Sequence, residues 1–281
     1  MTLPADSHVH SEWSWDTPVG SMEGSCARAM ELGLPGIAFT DHLDFTTYTI
    51  ALAGPYASEH LTSLADPDGE LTPPTFDPLA YLEAIEACRE RYPDLRILSG
   101  LEMGQPHWHE AEFAAVLGAG QFDRVLGSLH CLPDGERFAE PWLLYPRRVA
   151  AEVVREYLAD IPRLVDGSVP FSVLAHIDYP VRSWPEQTAG RFDPWVFEGE
   201  FRAALRATAQ SGRALEISTR IPLHATILTW WHEEGGEAVT FGSDAHLPDF
   251  VGHGFRDAAA MAEAHGFRPD RSPYDRWGRV D

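Results

Sequence analysis

Residues 238–246 read AVTFGSDAH: a short apolar run, two small residues, then a carboxylate and an imidazole two positions apart. The run has strand length and is bounded by Gly-Ser, so it is expected to be a buried strand that ends by presenting Asp244 and His246. The same arrangement recurs upstream. Gly36–Phe39 leads to Asp41 and His42, Ile97–Leu101 to Glu102, Val125–Leu129 to His130, and Phe171–Ala175 to His176. Ala214–Ile217 surrounds Glu216, and a weaker first run, Leu3–Asp6, precedes His8 and His10. Helical patterns lie between them at Ser21–Leu32, Tyr81–Arg91, Val149–Leu164, Glu198–Gln210 and Arg256–His265. Strand and helix alternate about seven times, which favours parallel βα units. Polar residues that follow parallel strands gather at the C-terminal face of a barrel, where barrel enzymes place their chemistry. The expectation is an irregular α/β barrel forming one domain over residues 1–281, with the Pro/Gly/Asp-rich stretch Phe45–Phe76 as an excursion over the site.

Composition narrows the chemistry. The chain has 281 residues with 44% hydrophobic and 11% aromatic residues, enough for a substantial core. Its net charge of −22 is spread along the chain, a surface that repels nucleic acid and anionic membrane. All 21 basic residues are arginine. That excludes a Schiff-base lysine, a phosphate loop of the G-x-x-x-x-G-K type and a carbamylated lysine bridging two metals. G-x-S-x-G and G-x-G-x-x-G are also absent. Three cysteines without metal-type spacing, no apolar run long enough for a bilayer and no apolar leader at the N-terminus point to a cytoplasmic protein without disulfides. The sequence carries no signal for oligomeric state.

The histidines point to metal. In an extended segment, residues i and i+2 face the same way, so His8 and His10 can grip one ion together. A second pair, His107/His109, follows Glu102 closely and reads either as substrate contacts or, by preference, as loop histidines or supports for the site. One His-x-His pair alone is weak evidence, but histidines or carboxylates follow six further strand-like runs. Imidazole with carboxylate suits zinc, iron or manganese rather than a thiolate site or calcium.

The motifs D-S-H-V-H (6–10), F-T-D-H (39–42), G-L-E (100–102), G-S-L-H (127–130), L-A-H-I-D (174–178) and G-S-D-A-H (242–246) resemble, in order, those of the polymerase-and-histidinol-phosphatase (PHP) superfamily. F-D-R-V-L-G-S-L-H and the Glu216-Ile-Ser-Thr segment resemble its stand-alone histidinol-phosphate phosphatase branch. The resemblance implies a distorted seven-stranded β/α barrel with three divalent metal ions. One ion would take His8, His10, Glu102 and Asp244. A second would share Glu102 and add His130 and His176. The third would use Asp16, His42 and His246, with Asp16 standing where many members have histidine.

On this reading Glu102, Asp244 and His246 act in catalysis through the ions and the hydroxide those ions generate from water at neutral pH. The ions neutralise the non-bridging oxygens during in-line attack on phosphorus. Arg220 is the first candidate for a guanidinium on phosphate and Arg182 the second, since the planar fork matches two oxygens. Asp178 is expected either to orient a ligand histidine or to shape a turn. Among Trp13, Trp15, Trp108, Trp142 and Trp184, some are expected to wall the pocket and the rest to pack in the core. The expected activity is phosphomonoester hydrolysis of a small substrate, L-histidinol phosphate, in histidine biosynthesis. Other phosphate esters, a phosphodiesterase or exonuclease, and a non-enzymatic metal-binding module are the competing readings.

Overall fold

A computed structural model describes residues 3–54, 56–269 and 276–280. Its frame is seven parallel strands in chain order: β1 (Asp6–Val9), β2 (Gly36–Leu43), β3 (Arg96–Gly104), β4 (Arg124–Ser128), β5 (Val173–Leu174), β6 (Ala214–Ser218) and β7 (Ala238–Gly242). Each strand pairs with the next in sequence. The sheet curls until the segment after β7 meets the end of β1, where His10 N donates to Ala245 O and Asp244 N to His8 O, both at 2.9 Å. Lower down, β7 pairs instead with the antiparallel strand Trp277–Arg279, which pairs with Phe267–Pro269. The barrel is therefore closed at one end and propped open at the other. This is the distorted seven-stranded β/α barrel expected from the sequence.

Helices cover the outside. α1 (Met22–Leu32) starts at Ser21, whose side chain accepts from Gly24 N, and stops at Gly33 in the left-handed conformation. α2 (Pro78–Arg91) opens three residues earlier than its apolar pattern suggested, because Asp77 caps it and Pro78 occupies its first turn. Tyr81 on α2 donates to the carbonyls of Phe39 and Gly100, pinning the helix across β2 and β3. α3 (Glu110–Ala119) is a helix that the sequence reading passed over. α4 (Ala150–Asp166) and α5 (Glu198–Gln210) each bury one apolar stripe, Val153, Tyr157, Ile161 and Leu164 on the first and Phe201, Ala204 and Leu205 on the second. α6 (Ala225–Glu233), also passed over, and α7 (Phe255–Ala264) complete the ring.

Pairing fixes which residues look inward. Glu102 pairs with His42 on one side and Leu126 on the other, Leu126 pairs with Val173, and Val173 with Ala214. In-register partners share a face, so these residues line the interior, with Glu216 two positions along β6. A small second sheet joins Tyr48–Thr49, Glu70–Leu71, Arg137–Ala139 and Leu132–Asp134. Two of its four strands come from within Phe45–Phe76.

Candidate metal centre

The functional side chains sit at the C-terminal ends of the strands. His8 lies within β1, and Asp6 faces Ile37 while Val9 faces Phe39, so β1 carries one extra residue against β2. Such a bulge re-aims the side chains around it. Here it leaves His8 and His10 with their Nε2 atoms 3.0 Å apart. His42 and Glu102 arrive on paired strands, with His42 Nδ1 3.3 Å from Glu102 Oε2. His130 and His176 each follow a strand end and place Nε2 at 3.1 and 2.7 Å from Glu102 Oε1. Asp244 Oδ1 lies 3.2 Å from His10 Nε2. Asp16 Oδ2 reaches His246 Nε2 at 2.9 Å and His42 Nε2 at 3.5 Å.

All nine predicted ligands therefore converge, and Glu102 is the hub. Asp244 stands at φ 52, a left-handed conformation that is rare outside glycine but tolerated by Asp. Strain of this kind collects at functional sites. The local electrostatics follow from burial and the shared carboxylates. Burial disfavours charge on Glu102 and Asp244. His8, His130 and His42 outweigh it at Glu102, and Arg182 and His8 at Asp244, so both carboxyls fall well below their usual range. His10 is pushed down by burial and by His246 and His42.

The donor set fits divalent cations. His8 with His10, and His130 with His176, place Nε2 opposite Nε2 at 3.0 and 3.4 Å, where both deprotonated nitrogens could turn their lone pairs to a shared cation. Ligands about 2.1 Å from a tetrahedral zinc lie about 3.4 Å apart, the same spacing. The buried Asp16 Oδ1, His42 Nδ1 and His176 Nδ1 have no hydrogen-bond partner among the described residues. Among the described residues, four sets of mutually close donor atoms can be drawn: His10/His42/His246, His8/His10/Asp244, His42/Asp44/His130 and Glu102/His130/His176.

Asp44 goes unnamed in the sequence reading, and Glu216 is named there as the carboxylate of a strand and of a family motif but is given no role at the site. Asp44 lies 3.5 Å from His42 Nδ1 and accepts from Trp15 Nε1 at 3.0 Å. Glu216 Oε2 lies 2.7 Å from His8 Nδ1, and its Oε1 accepts from His176 N at 3.2 Å. A carboxylate on Nδ1 sets the tautomer that leaves Nε2 free for a metal. The contact needs Gly242 on the adjacent strand: a Cβ there would lie 2.6 Å from Glu216 Oε2 and 2.7 Å from His8 Cβ.

A cavity of about 300 Å³ opens over the cluster and is lined by Asp16, His42, Glu102, His130, His176, Asp244 and His246 together with both candidate arginines. Arg182 is the deeper, 17% exposed, with Nη1 2.5 Å from Asp244 Oδ2 and its guanidinium over the Tyr179 ring. Arg220 is half exposed and reaches His246 Nδ1 and Asp244 O at 3.2 Å. Thr46, Tyr48, Tyr56 and Leu61, from the predicted excursion, also line the cavity, as do Trp15 and Trp142. Trp13, Trp108 and Trp184 pack elsewhere, against Tyr81, Phe138 and Tyr145. His107 bonds to Asp160, and His109 to Thr46. Asp178 is buried near Arg182 and makes no side-chain hydrogen bond to His176; the carboxylate that contacts a histidine ring of the cluster from behind is Glu216, at His8 Nδ1.

The PHP domain family matches residues 6–220. The chain belongs to that family. The matched span holds seven of the nine converging side chains, and Asp244 and His246 of the PHP fold lie beyond it. The histidinol-phosphatase of Lactococcus lactis subsp. lactis (strain IL1403) is 27% identical over 254 residues, covering 86% of this PHP chain and 84% of its own. A probable histidinol-phosphatase of Deinococcus radiodurans is 28% identical over 273 residues, 92% of each. In the fold, the chain resembles the crystal structure of the Lactococcus lactis histidinol phosphate phosphatase complexed with zinc, L-histidinol and phosphate. The TM-score is 0.77 at 24% identity, with 95% of both chains covered. The putative histidinol phosphatase of Listeria monocytogenes gives 0.70 at 17% identity, over 90% of this chain and 99% of its own.

Proposed function

We propose that this protein is a metal-dependent phosphomonoester hydrolase acting on L-histidinol phosphate, and that residues 1–281 work as one domain. The observation that carries the reading is the convergence of five histidines on the two oxygens of Glu102, beneath a cavity that also holds two arginines. His8, His10, Glu102 and Asp244 would hold one divalent cation, Glu102, His130 and His176 a second, and Asp16, His42 and His246 a third. Zinc, iron and manganese all suit this donor set. Bound there, such ions supply positive charge for the phosphoryl oxygens and an activated water at neutral pH.

The chain's own residues do the rest. Glu216 fixes the His8 ring, and Asp44 together with Trp15 borders His42. Arg182 is held over Tyr179, tied to Asp244 and Ser218, and lines the cavity, where its guanidinium can donate to phosphate oxygens. Arg220 donates from the rim. Cations and guanidinium groups together reverse, over a few ångströms, the repulsion that a chain of net charge −22 would exert on an anion. The same charge disfavours nucleic acid as a substrate, and among the described residues no helix is long and apolar enough to cross a membrane. A cytoplasmic place in histidine biosynthesis fits these properties and the relatives' names.

Phosphate release tests the reading, measured for histidinol phosphate beside nucleotides and sugar phosphates after loading with Mn²⁺, Fe²⁺ or Zn²⁺. The expected kcat/KM for histidinol phosphate is about 10⁴ M⁻¹s⁻¹ or more and well above the others. Equal rates across the panel would keep the chemistry and remove the substrate.

A further inference from the structure

One carboxylate on the cavity wall has no part in the metal cluster. Glu140 follows the strand Arg137–Ala139 of the small second sheet, so that sheet positions it rather than the barrel. Its Oε2 accepts from Tyr179 OH at 3.0 Å and from Trp142 Nε1. Both donors are neutral, and Oε1 accepts no hydrogen bond from any described residue. Burial raises the carboxyl's pKa despite these donors. His130 lies near enough to favour the charged form, but only neutral groups hydrogen-bond to the carboxylate, and a cationic ligand group placed against it offsets the cost of burial.

The surroundings set the spacing. The Tyr179 ring lies 5.1 Å from the His130 ring and 5.0 Å from the His176 ring, while its hydroxyl reaches Glu140. One phenol therefore separates the phosphate end of the cavity from this carboxylate. Beside it, Trp142 and Tyr56 stand with ring centroids 5.1 Å apart, both on the cavity wall.

We propose that Glu140 is the specificity residue of this site: its carboxylate receives the cationic end, ammonium or imidazolium, of a phosphomonoester whose phosphate lies at the histidine–carboxylate cluster. Trp142 and Tyr56 wall the carbons between the two ends. The inference rests on the phosphomonoesterase reading above. It adds what that reading lacks, a group that separates histidinol phosphate from esters with uncharged organic parts.

The test is Glu140→Gln in the metal-loaded protein, assayed on histidinol phosphate and on p-nitrophenyl phosphate, which carries no cation. Removing one partner of a buried charge pair costs about 2 kcal/mol or more, so kcat/KM for histidinol phosphate should fall about 30-fold, mainly through KM. The uncharged ester should change less than about twofold over the same substitution. Equal losses on both esters would make Glu140 a structural residue, and no loss on either would remove its role; both overturn the proposal. Calorimetry with L-histidinol alone gives a second readout that needs no turnover. The wild type should bind it, and the variant should bind it about 30-fold more weakly while its affinity for inorganic phosphate is kept. If the wild type hydrolyses no phosphomonoester, the reading of the reaction fails, and this binding comparison still decides for or against Glu140.

Discussion

Glu102 divides the imidazoles around it into two kinds. Burial alone would keep His8, His42 and His130 neutral, but neighbouring carboxylates overcome it: Glu216 and Glu102 at His8, Asp16 and Glu102 at His42, and Glu102 with Asp44 at His130. All three are raised, His130 to about 9. His176 is instead pushed down to about 4 by burial and the nearby Arg182. In the metal-free protein at pH 7, His130 therefore carries a proton and His176 does not. The proton on His130 stabilises the metal-free fold fully below its ordinary value near 6.5, and that contribution is lost as pH rises through about 9. A cation must displace that proton, so metal affinity should rise with pH between about 6 and 8, with at least one proton released per chain. Calorimetry of Zn²⁺ binding in two buffers of different ionisation enthalpy would check this; a pH-independent affinity would contradict it. At this scale the sequence displayed all nine of the side chains that converge on the cluster. It named Glu216 without its role and did not name Asp44, because a contact such as His8–Glu216, 208 positions apart, is made only on folding.

Barrel closure depends on one buried side chain in the first strand. Asp6 Oδ1 accepts from Ser243 N at 3.0 Å and His8 N at 3.4 Å, and Oδ2 accepts from Gly252 N at 2.9 Å. It thereby ties β1 to the segment that follows β7. Asp6→Asn removes a buried charge whose pKa burial raises to about 6, yet its amide offers one oxygen to donors on two sides. The unmatched N–H should cost about 1–3 kcal/mol. Thermal unfolding of the metal-free variant should show Tm lowered by a few degrees; an unchanged or higher Tm would mean that the buried charge is the dominant cost. Strands were legible as apolar runs ending in polar residues, and helices with a single buried stripe, such as α4 and α5, were legible too. α3 buries only Phe113 and so shows no stripe. α6 carries Ile227, Leu228, Trp230 and Trp231 in near succession, which blurs the helical period. The bulge in β1 left no mark in the sequence, since it exists only relative to β2.

The whole molecule sets a long-range field of one sign. With net charge −22, a phosphate dianion is repelled until it comes within reach of the cations and arginines in the cavity. Added salt shortens the screening length to about 8 Å at physiological ionic strength, so kcat/KM for an anionic ester should rise between about 0.01 and 0.15 M NaCl. A steady fall over that range, measured in initial rates at low substrate, would show that the local positive field already dominates at long distance. By itself the sequence determined the parallel βα frame, because strand period is a local property, and its motifs, through their resemblance to those of the PHP superfamily, named the nine side chains that converge. Only the tertiary structure decided that five histidines meet on the oxygens of Glu102, that Arg182 lies deeper than Arg220, that Glu216 contacts the His8 ring, and that the small sheet brings Glu140 to the cavity. Those facts depend on strand register, on the bulge and on where the barrel closes, and each is a relation between segments distant in the chain.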